Sequence, residues 1–174
     1  MFQLFFIILA CQRLGELLYA RRNERWMKAR GAEEFGQSHY PFMVMMHLLF
    51  FVSLYAEVTV WGKELSPLWP VLLLLFAVLQ ALRVWIILSM GYFWNTKIIV
   101  LKGSNVVSKG PFRFLKHPNY FVVTLEFIVI PLLFQAYFTL ILFSIFNQVI
   151  LYIRKRSEEE ALKQGTNYQQ IFQK

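Results

Sequence analysis

Residues 67–90 read PLWPVLLLLFAVLQALRVWIILSM, a run of 24 residues with a single ionisable side chain, Arg83. At about 1.5 Å of rise per residue such a helix outspans a hydrocarbon core of roughly 30 Å. The stretch predicts a transmembrane helix. Four more apolar runs resemble it: Phe2 to Tyr19, Pro41 to Trp61, Tyr120 to Gln135 and Tyr137 to Ile153. The last two form a hairpin with almost no polar turn, and Pro131 should close or kink the fourth helix. The fourth run is short for a perpendicular span, so a tilted or buried pair is expected.

Composition agrees, since 57% of the 174 residues are hydrophobic and 16% charged, more apolar surface than a water-soluble chain of this length could hide. The expected fold class is therefore all-α, an integral membrane bundle of about five helices. Residues 1–174 read as one domain, with approximately 91–174 as its cofactor-binding and catalytic part. The first run carries Arg13 and Glu16 and lacks a small-residue cleavage site, so it reads as a retained span. Cys11 is the only cysteine, which excludes a disulfide framework and a thiolate metal cluster and suggests a packed, inert thiol.

The net charge of +8 would suggest nucleic acid in a soluble protein, but here the charges cluster at the ends of apolar runs, where they face lipid headgroups. Arg21, Arg22, Arg25, Lys28 and Arg30 follow the first run; Lys97, Lys102, Lys109, Arg113 and Lys116 follow the third; Arg154, Lys155, Arg156, Lys163 and Lys174 follow the fifth. Only Lys63 lies between the second and third runs. Five spans place all three basic segments on one side, as the positive-inside rule requires. The N-terminus is then outside, the C-terminus is cytoplasmic, and the functional face is cytoplasmic.

Chemistry concentrates in two blocks on that face. SNVVSKGPFRFLKHPNYFV occupies Ser104 to Val122, and RKRSEEEALKQGTNY occupies Arg154 to Tyr168. His117 precedes Pro118, which suits the first turn of a helix because its missing N–H has no partner to lose there. Free N–H groups at a helix start attract anions, and Tyr120 offers a face to a cation. In the second block Arg154 and Glu158 share a helical face, and Arg156 and Glu160 repeat the spacing. An arginine fork can hold an oxyanion; a glutamate can accept from ribose hydroxyls. Taken singly, these are a helix start, a solvated ion pair and membrane anchors. Their meeting on one face favours a site.

GPFRFLKHPNYF resembles the Gly-Pro-Tyr and Arg-His-Pro-x-Tyr signature of the isoprenylcysteine carboxyl methyltransferase family, and RKRSEEEAL with GTNY is similar to that family's later block. QRLGELLYARRNERW (12–26) and HYPFMVMMH (39–47) resemble its bacterial branch. The resemblance implies a membrane methyltransferase that uses S-adenosylmethionine, held by His117, Pro118, Asn119, Tyr120 and Glu158. Phe112 takes the place of an upstream tyrosine, and Ser104, Asn105, Val106 and Val107 form the preceding cofactor-lining segment. Arg154 is implied as the catalytic, substrate-side residue, with Arg156 and Glu160 as the alternative register. Lys116 for arginine, Val122 for glycine and a two-residue deletion before Gly165 are further departures. No G-x-G-x-x-G loop is present, in keeping with a fold unrelated to the soluble methyltransferases.

The implied activity is O-methylation of an acidic oxygen on a lipophilic substrate reached from the bilayer. Its acceptor is a long-chain alkylpyrone of the kind made by type III polyketide synthases, or an isoprenylcysteine-like carboxylate. A phospholipid N-methyltransferase and a non-catalytic transporter or scaffold are the competing classes; the first needs a proton acceptor where Arg154 stands, and the second leaves the two blocks unexplained. The implied location is a bacterial plasma membrane. Neither nucleic acid nor a metal ion is expected, since His47 has no second ligand at metal-binding spacing. Within the spans, Arg13 should pair with Glu16 on its own helix, while Arg83 and Glu126, in spans adjacent in sequence, are placed either to pair or to line a substrate entry. A reporter fused after Lys174 should be cytoplasmic and one inserted near Lys63 external; two reporters on the same side would exclude the five-span topology.

Overall fold

The computed structural model describes residues 1–172, so Lys174 lies outside the described residues. Five long helices follow the apolar runs: α1 (Phe2–Lys28), α2 (Tyr40–Val60), α3 (Trp69–Met90), α4 (Pro118–Leu133) and α5 (Tyr137–Gly165). A five-residue α6 (Tyr168–Phe172) follows. α1, α2, α3 and α5 are long and apolar enough to cross a membrane, while α4 has 16 residues, about 24 Å. Leu18, Leu48, Leu74, Ile141 and Ile145 all stand exposed on the outer surface, as side chains facing lipid tails should. The protein is an integral membrane helical bundle.

The shortest of the five long helices is the most enclosed. Nine residues of α4 are buried, against four in α1, five in α2, three in α3 and five in α5, so α4 is the post around which the others stand. Leu79 and Ile86 of α3 meet Val122 and Val129 on one side of it. On the other, Phe50 of α2 lies 4.4 Å from Phe127, ring centre to ring centre, within a cluster that includes Leu54, Ile130 and Phe143. Aromatic pairs supply much of this packing because dispersion, and not exclusion of water, drives helix association in lipid.

Each ionisable group inside the spans has a partner. Arg13 donates to Glu16 (2.9 Å) and Glu126 (2.8 Å); Arg83 donates to Glu16 (2.9 Å) and to Glu126, so two cations and two carboxylates close a ring joining α1, α3 and α4. Gln12 and Gln80 donate to the remaining carboxylate oxygens at 3.0 and 2.7 Å. The Arg13–Glu16 and Arg83–Glu126 pairs are thus halves of one network. His47 hydrogen-bonds through Nδ1 to the Met43 carbonyl at 2.8 Å.

Glu57, near the end of α2, accepts backbone N–H bonds from Phe138 (3.0 Å) and Thr139 (2.7 Å) and so caps the first turn of α5. The hairpin before that cap is tight. α4 ends two residues after Pro131, Gln135 takes a left-handed φ of 54°, and its amide donates to the Leu65 carbonyl at 3.2 Å.

At the opposite end the segments after α1, α3 and α5 converge. β1 (Glu33–Phe35) pairs antiparallel with β2 (Ile98–Val100), a short ladder that the all-helical reading of the sequence does not contain. Ile98 and Val100 pack on Ala161 and Leu162 of α5, and the Gly103 N–H bonds to the Gly165 carbonyl at 2.8 Å. A Cβ on Gly165 would lie 2.7 Å from Val100 Cγ1, so only glycine lets the strand approach this closely. Lys97 bridges Glu24 (2.9 Å) and Glu34 (3.3 Å), and these carboxylates hold its ammonium above the ordinary lysine range.

One expectation is corrected. Cys11 is exposed, because it sits on the outer side of α1 and faces lipid instead of the bundle interior. Removing the Glu57 cap in Glu57→Ala should cost about 2 kcal/mol and lower the thermal midpoint in detergent, with Glu57→Gln intermediate because one acceptor survives. An unchanged midpoint in Glu57→Ala would show that the cap does not stabilise the hairpin.

Candidate functional site

Because α4 and α5 are antiparallel, the start of α4 and the end of α5 lie side by side at the basic end of the bundle. His117 is the N-cap of α4, with φ −129° and ψ 64° in the non-helical range that a following proline favours. Pro118 is the first helical residue and is buried. Tyr120 is then close enough to stack on the His117 ring, 5.1 Å between centres and 9° between planes. Across the gap, Arg154, Glu158 and Glu159 project from α5.

The contacts form a continuous chain. His117 Nε2 lies 2.9 Å from Glu159 Oε1, the Tyr120 hydroxyl donates to Glu158, and Arg154 Nε donates to the Tyr120 oxygen at 3.1 Å. Arg154 Nη1 reaches Met43 Sδ of α2 at 3.4 Å, and the residue is only 7% exposed. One end of the guanidinium is therefore fixed, while Nη2 has no hydrogen-bond partner among the described residues. His39, the N-cap of α2, is lowered below the usual histidine range by burial and then by the nearby Arg154 cation. Arg156 and Glu160 are exposed on the other side of α5, with Arg156 5.9 Å from the ring of Tyr152.

The loop after β2 is tied to the segment after α5. Asn167 accepts from the Val106 N–H at 2.8 Å and donates to Asn105 Oδ1 at 2.9 Å, while Ser104 Oγ donates to the Leu101 carbonyl at 2.7 Å. The GTNY stretch is thereby a clamp for residues 104–107. Gly110 supplies the next turn with a φ of 60°, and a Cβ there would meet Ser89 Oγ at 2.3 Å. That places Phe112 against α3 in the cluster of Leu79, Ile86 and Val122.

Two cavities meet at this point. The first, about 110 Å³, lies toward the basic end; Ser104, Asn105, Val106, Val107, Phe112, His117, Arg154 and Glu158 line it. Its wall also includes Tyr168, whose hydroxyl lies near Glu159 without closing a hydrogen bond and is buried without another partner. Burial, then the Glu159 charge, pushes the Tyr168 phenol up to about 12. The second cavity, about 240 Å³, reaches into the bundle past His47 to Arg13, Glu16, Arg83 and Glu126. Asn95 and Arg154 line both.

Of the residues singled out from the sequence, Asn119 and Tyr120 border the second cavity, and Pro118 borders neither. Tyr120 touches the first cavity only through its bond to Glu158. The sequence reading missed Glu159 as the close partner of His117, and it missed Asn95, Asn167 and Tyr168. An alternating grip by consecutive acids is available to any Glu-Glu-Glu run on a helix, since neighbours are rotated by about 100°.

Residues 71–164, more than half the chain, match the model of the isoprenylcysteine carboxyl methyltransferase (ICMT) family. The chain belongs to this family. It is 49% identical to YpbQ of Bacillus subtilis (strain 168), a protein described only as uncharacterized, over 94% of this chain and 98% of the relative. An uncharacterized protein of Haemophilus influenzae (strain ATCC 51907 / DSM 11121 / KW20 / Rd) is 25% identical over 86% of this chain and 88% of its own length. No solved structure matches. The matched region contains most of the first cavity, whereas α1 and α2, which supply ten residues to the second, lie before it.

Proposed function

We propose that this member of the ICMT family is an S-adenosylmethionine-dependent O-methyltransferase, with the cofactor in the first cavity and a lipophilic acceptor in the second. The observation that carries the reading is the position of Arg154, a buried cation bordering both cavities. A methyl donor and a methyl acceptor must meet in line, and a shared wall between two chambers is where they can do so.

The first cavity suits the cofactor in kind. Ile98, Val100, Phe112 and Leu162 give an apolar wall for an aromatic base; Glu158 and Asn105 offer polar contacts for ribose and amino-acid groups. His117, Ser104 and the backbone of 105–107 complete the set of residues that would hold it. When bound, S-adenosylmethionine supplies an electrophilic methyl on sulfonium sulfur. The chain's own part is to position and to exclude water. Arg154, anchored by Tyr120 and Met43, would hold an ionised acceptor oxygen with its free N–H groups and set its lone pair toward the first cavity. An acceptor that arrives ionised carries no proton to remove, so no general base is required. A cation at this spot disfavours the amine acceptor of an N-methyltransferase.

Long-chain alkylpyrones and isoprenylcysteine-like carboxylates both present such an oxygen on a hydrophobic body. We place the enzyme in the bacterial cell membrane, N-terminus outside and site toward the cytoplasm, supported by the three basic segments gathered at the site's end of the bundle. The cofactor would arrive from water and the acceptor from lipid.

The test separates roles and register. By calorimetry in detergent, His117→Ala and Glu158→Ala should weaken S-adenosylhomocysteine binding about ten- to a hundredfold. Arg154→Ala should bind it nearly as wild type yet fail to transfer labelled methyl to lipid in expressing membranes. Arg156→Ala and Glu160→Ala should behave as wild type in both. Unaltered affinity in His117→Ala and Glu158→Ala would remove the cofactor from the first cavity.

A further inference from the structure

The chain between α3 and α4 does more than cross the basic end of the bundle. After Met90 it climbs to the ladder at Ile98–Val100 and then comes back. A Cβ on Gly110 would lie 2.3 Å from Ser89 Oγ and 3.2 Å from Trp85 Nε1, so the short helical turn Gly110–Arg113 lies beside the last turns of α3. At about 1.5 Å per residue, Trp85 is roughly 8 Å inside the Met90 end of that helix. Trp85 and Leu88 are both exposed, and an outward indole at this level belongs to the aromatic belt of a membrane interface. The turn has therefore re-entered to interfacial depth, and it takes up length that a full span would have used, which is why α4 can be short.

What the segment turns outward suits that depth. Phe114 is 78% and Leu115 44% exposed, and Lys109, Arg113 and Lys116 are exposed around them. None of the three cations has a carboxylate partner among the described residues, and the sequence holds no acid between Glu64 and Glu126. The backbone asks little of water: the Phe112 N–H bonds to the Lys109 carbonyl at 3.3 Å, and the Phe114 and Leu115 N–H groups both bond to the Pro111 carbonyl at 3.1 Å. Large apolar side chains among unpaired cations complement the boundary between acyl chains and anionic headgroups. On its inner side the same segment belongs to the site, since Phe112, Lys116 and His117 line the first cavity.

We propose that residues 110–116 are a re-entrant membrane anchor, with Phe114 and Leu115 among the upper acyl carbons and Arg113, with Lys109 beside it, on the phosphates of anionic phospholipid. This contact holds one wall of the first cavity in its binding form, so the lipid surface tunes ligand affinity there. The anchor stands apart from the methyltransferase reading, whereas the coupling to affinity rests on it.

Two measurements in lipid nanodiscs test the two parts. For depth, nitroxide labels are compared at native Cys11, which faces lipid, at Lys102→Cys beyond the ladder and at Phe114→Cys, the last two in a Cys11→Ser background. The label at 114 should be relaxed by oxygen more than by a water-soluble nickel chelate, as at Cys11; behaviour like that at 102 would overturn the anchor and leave Phe114 to a soluble partner. For coupling, S-adenosylhomocysteine affinity is compared between discs of phosphatidylcholine and discs of phosphatidylcholine with phosphatidylglycerol in equal parts. This probe has no net charge at neutral pH, so the surface potential does not concentrate it. Wild type should bind about fivefold tighter in the anionic discs, and Arg113→Gln combined with Phe114→Ser should erase the difference. Equal wild-type affinity in both discs would overturn the coupling. Binding in neither disc would overturn the cofactor reading and the coupling with it, while the depth measurement alone decides the anchor.

Discussion

An arginine or glutamate inside a bilayer is tolerated only when its charge is met by another, and this constraint organises the bundle. Arg13 and Glu16 sit on α1, Arg83 on α3 and Glu126 on α4, so the ring closes, each carboxylate between two arginines, only when all three helices are together. Removing one member would leave a buried charge unmatched, a loss of roughly 3 to 5 kcal/mol in comparable sites. The ring fixes how α1 and α3 stand against α4. It thereby forms a wall of the second cavity, while the tight hairpin after α4 lays the α4 start beside the α5 end, where His117, Tyr120, Arg154 and Glu158 meet.

From that arrangement follows a division of labour along the membrane normal. At the basic end a short ladder and the Asn167 clamp hold a loop against α5, enclosing a cavity with mixed polar and apolar walls. Deeper, helices alone enclose a larger one. Arg154 joins them because α5 runs on past its apolar portion and carries its cation to the boundary. Under the proposed function, such a plan brings a donor from the aqueous side and an acceptor from lipid to one shared wall.

Much of this was legible in the sequence. Apolar runs located α2, α3 and α4 to within about two residues, with Pro41, Pro70 and Pro118 marking their starts, but only the starts of α1 and α5, which run on past their apolar portions to Lys28 and Gly165. Arg13 with Glu16 at helical spacing, and Arg83 with Glu126, were readable because lipid permits so few alternatives to pairing. The HPNY and RKRSEEE blocks were expected on one face, and the fold brings His117, Tyr120, Arg154 and Glu158 together. What escaped depends on three-dimensional approach. The strands are three residues each, too short for a period-two pattern; Glu57 acts as a cap only because α5 begins beside it; the faces of α4 that divide Asn119 from His117 depend on how that helix is rotated in the bundle.

The central claim is that two chambers share Arg154. A crystal structure of the protein grown from a lipid phase with S-adenosylhomocysteine tests it most directly. The account predicts the nucleoside between residues 104–107 and Glu158, with the thioether sulfur turned toward Arg154 and the second cavity open behind it. Ligand bound in the cavity of Arg13 and Glu126, or on the surface away from Arg154, would contradict it.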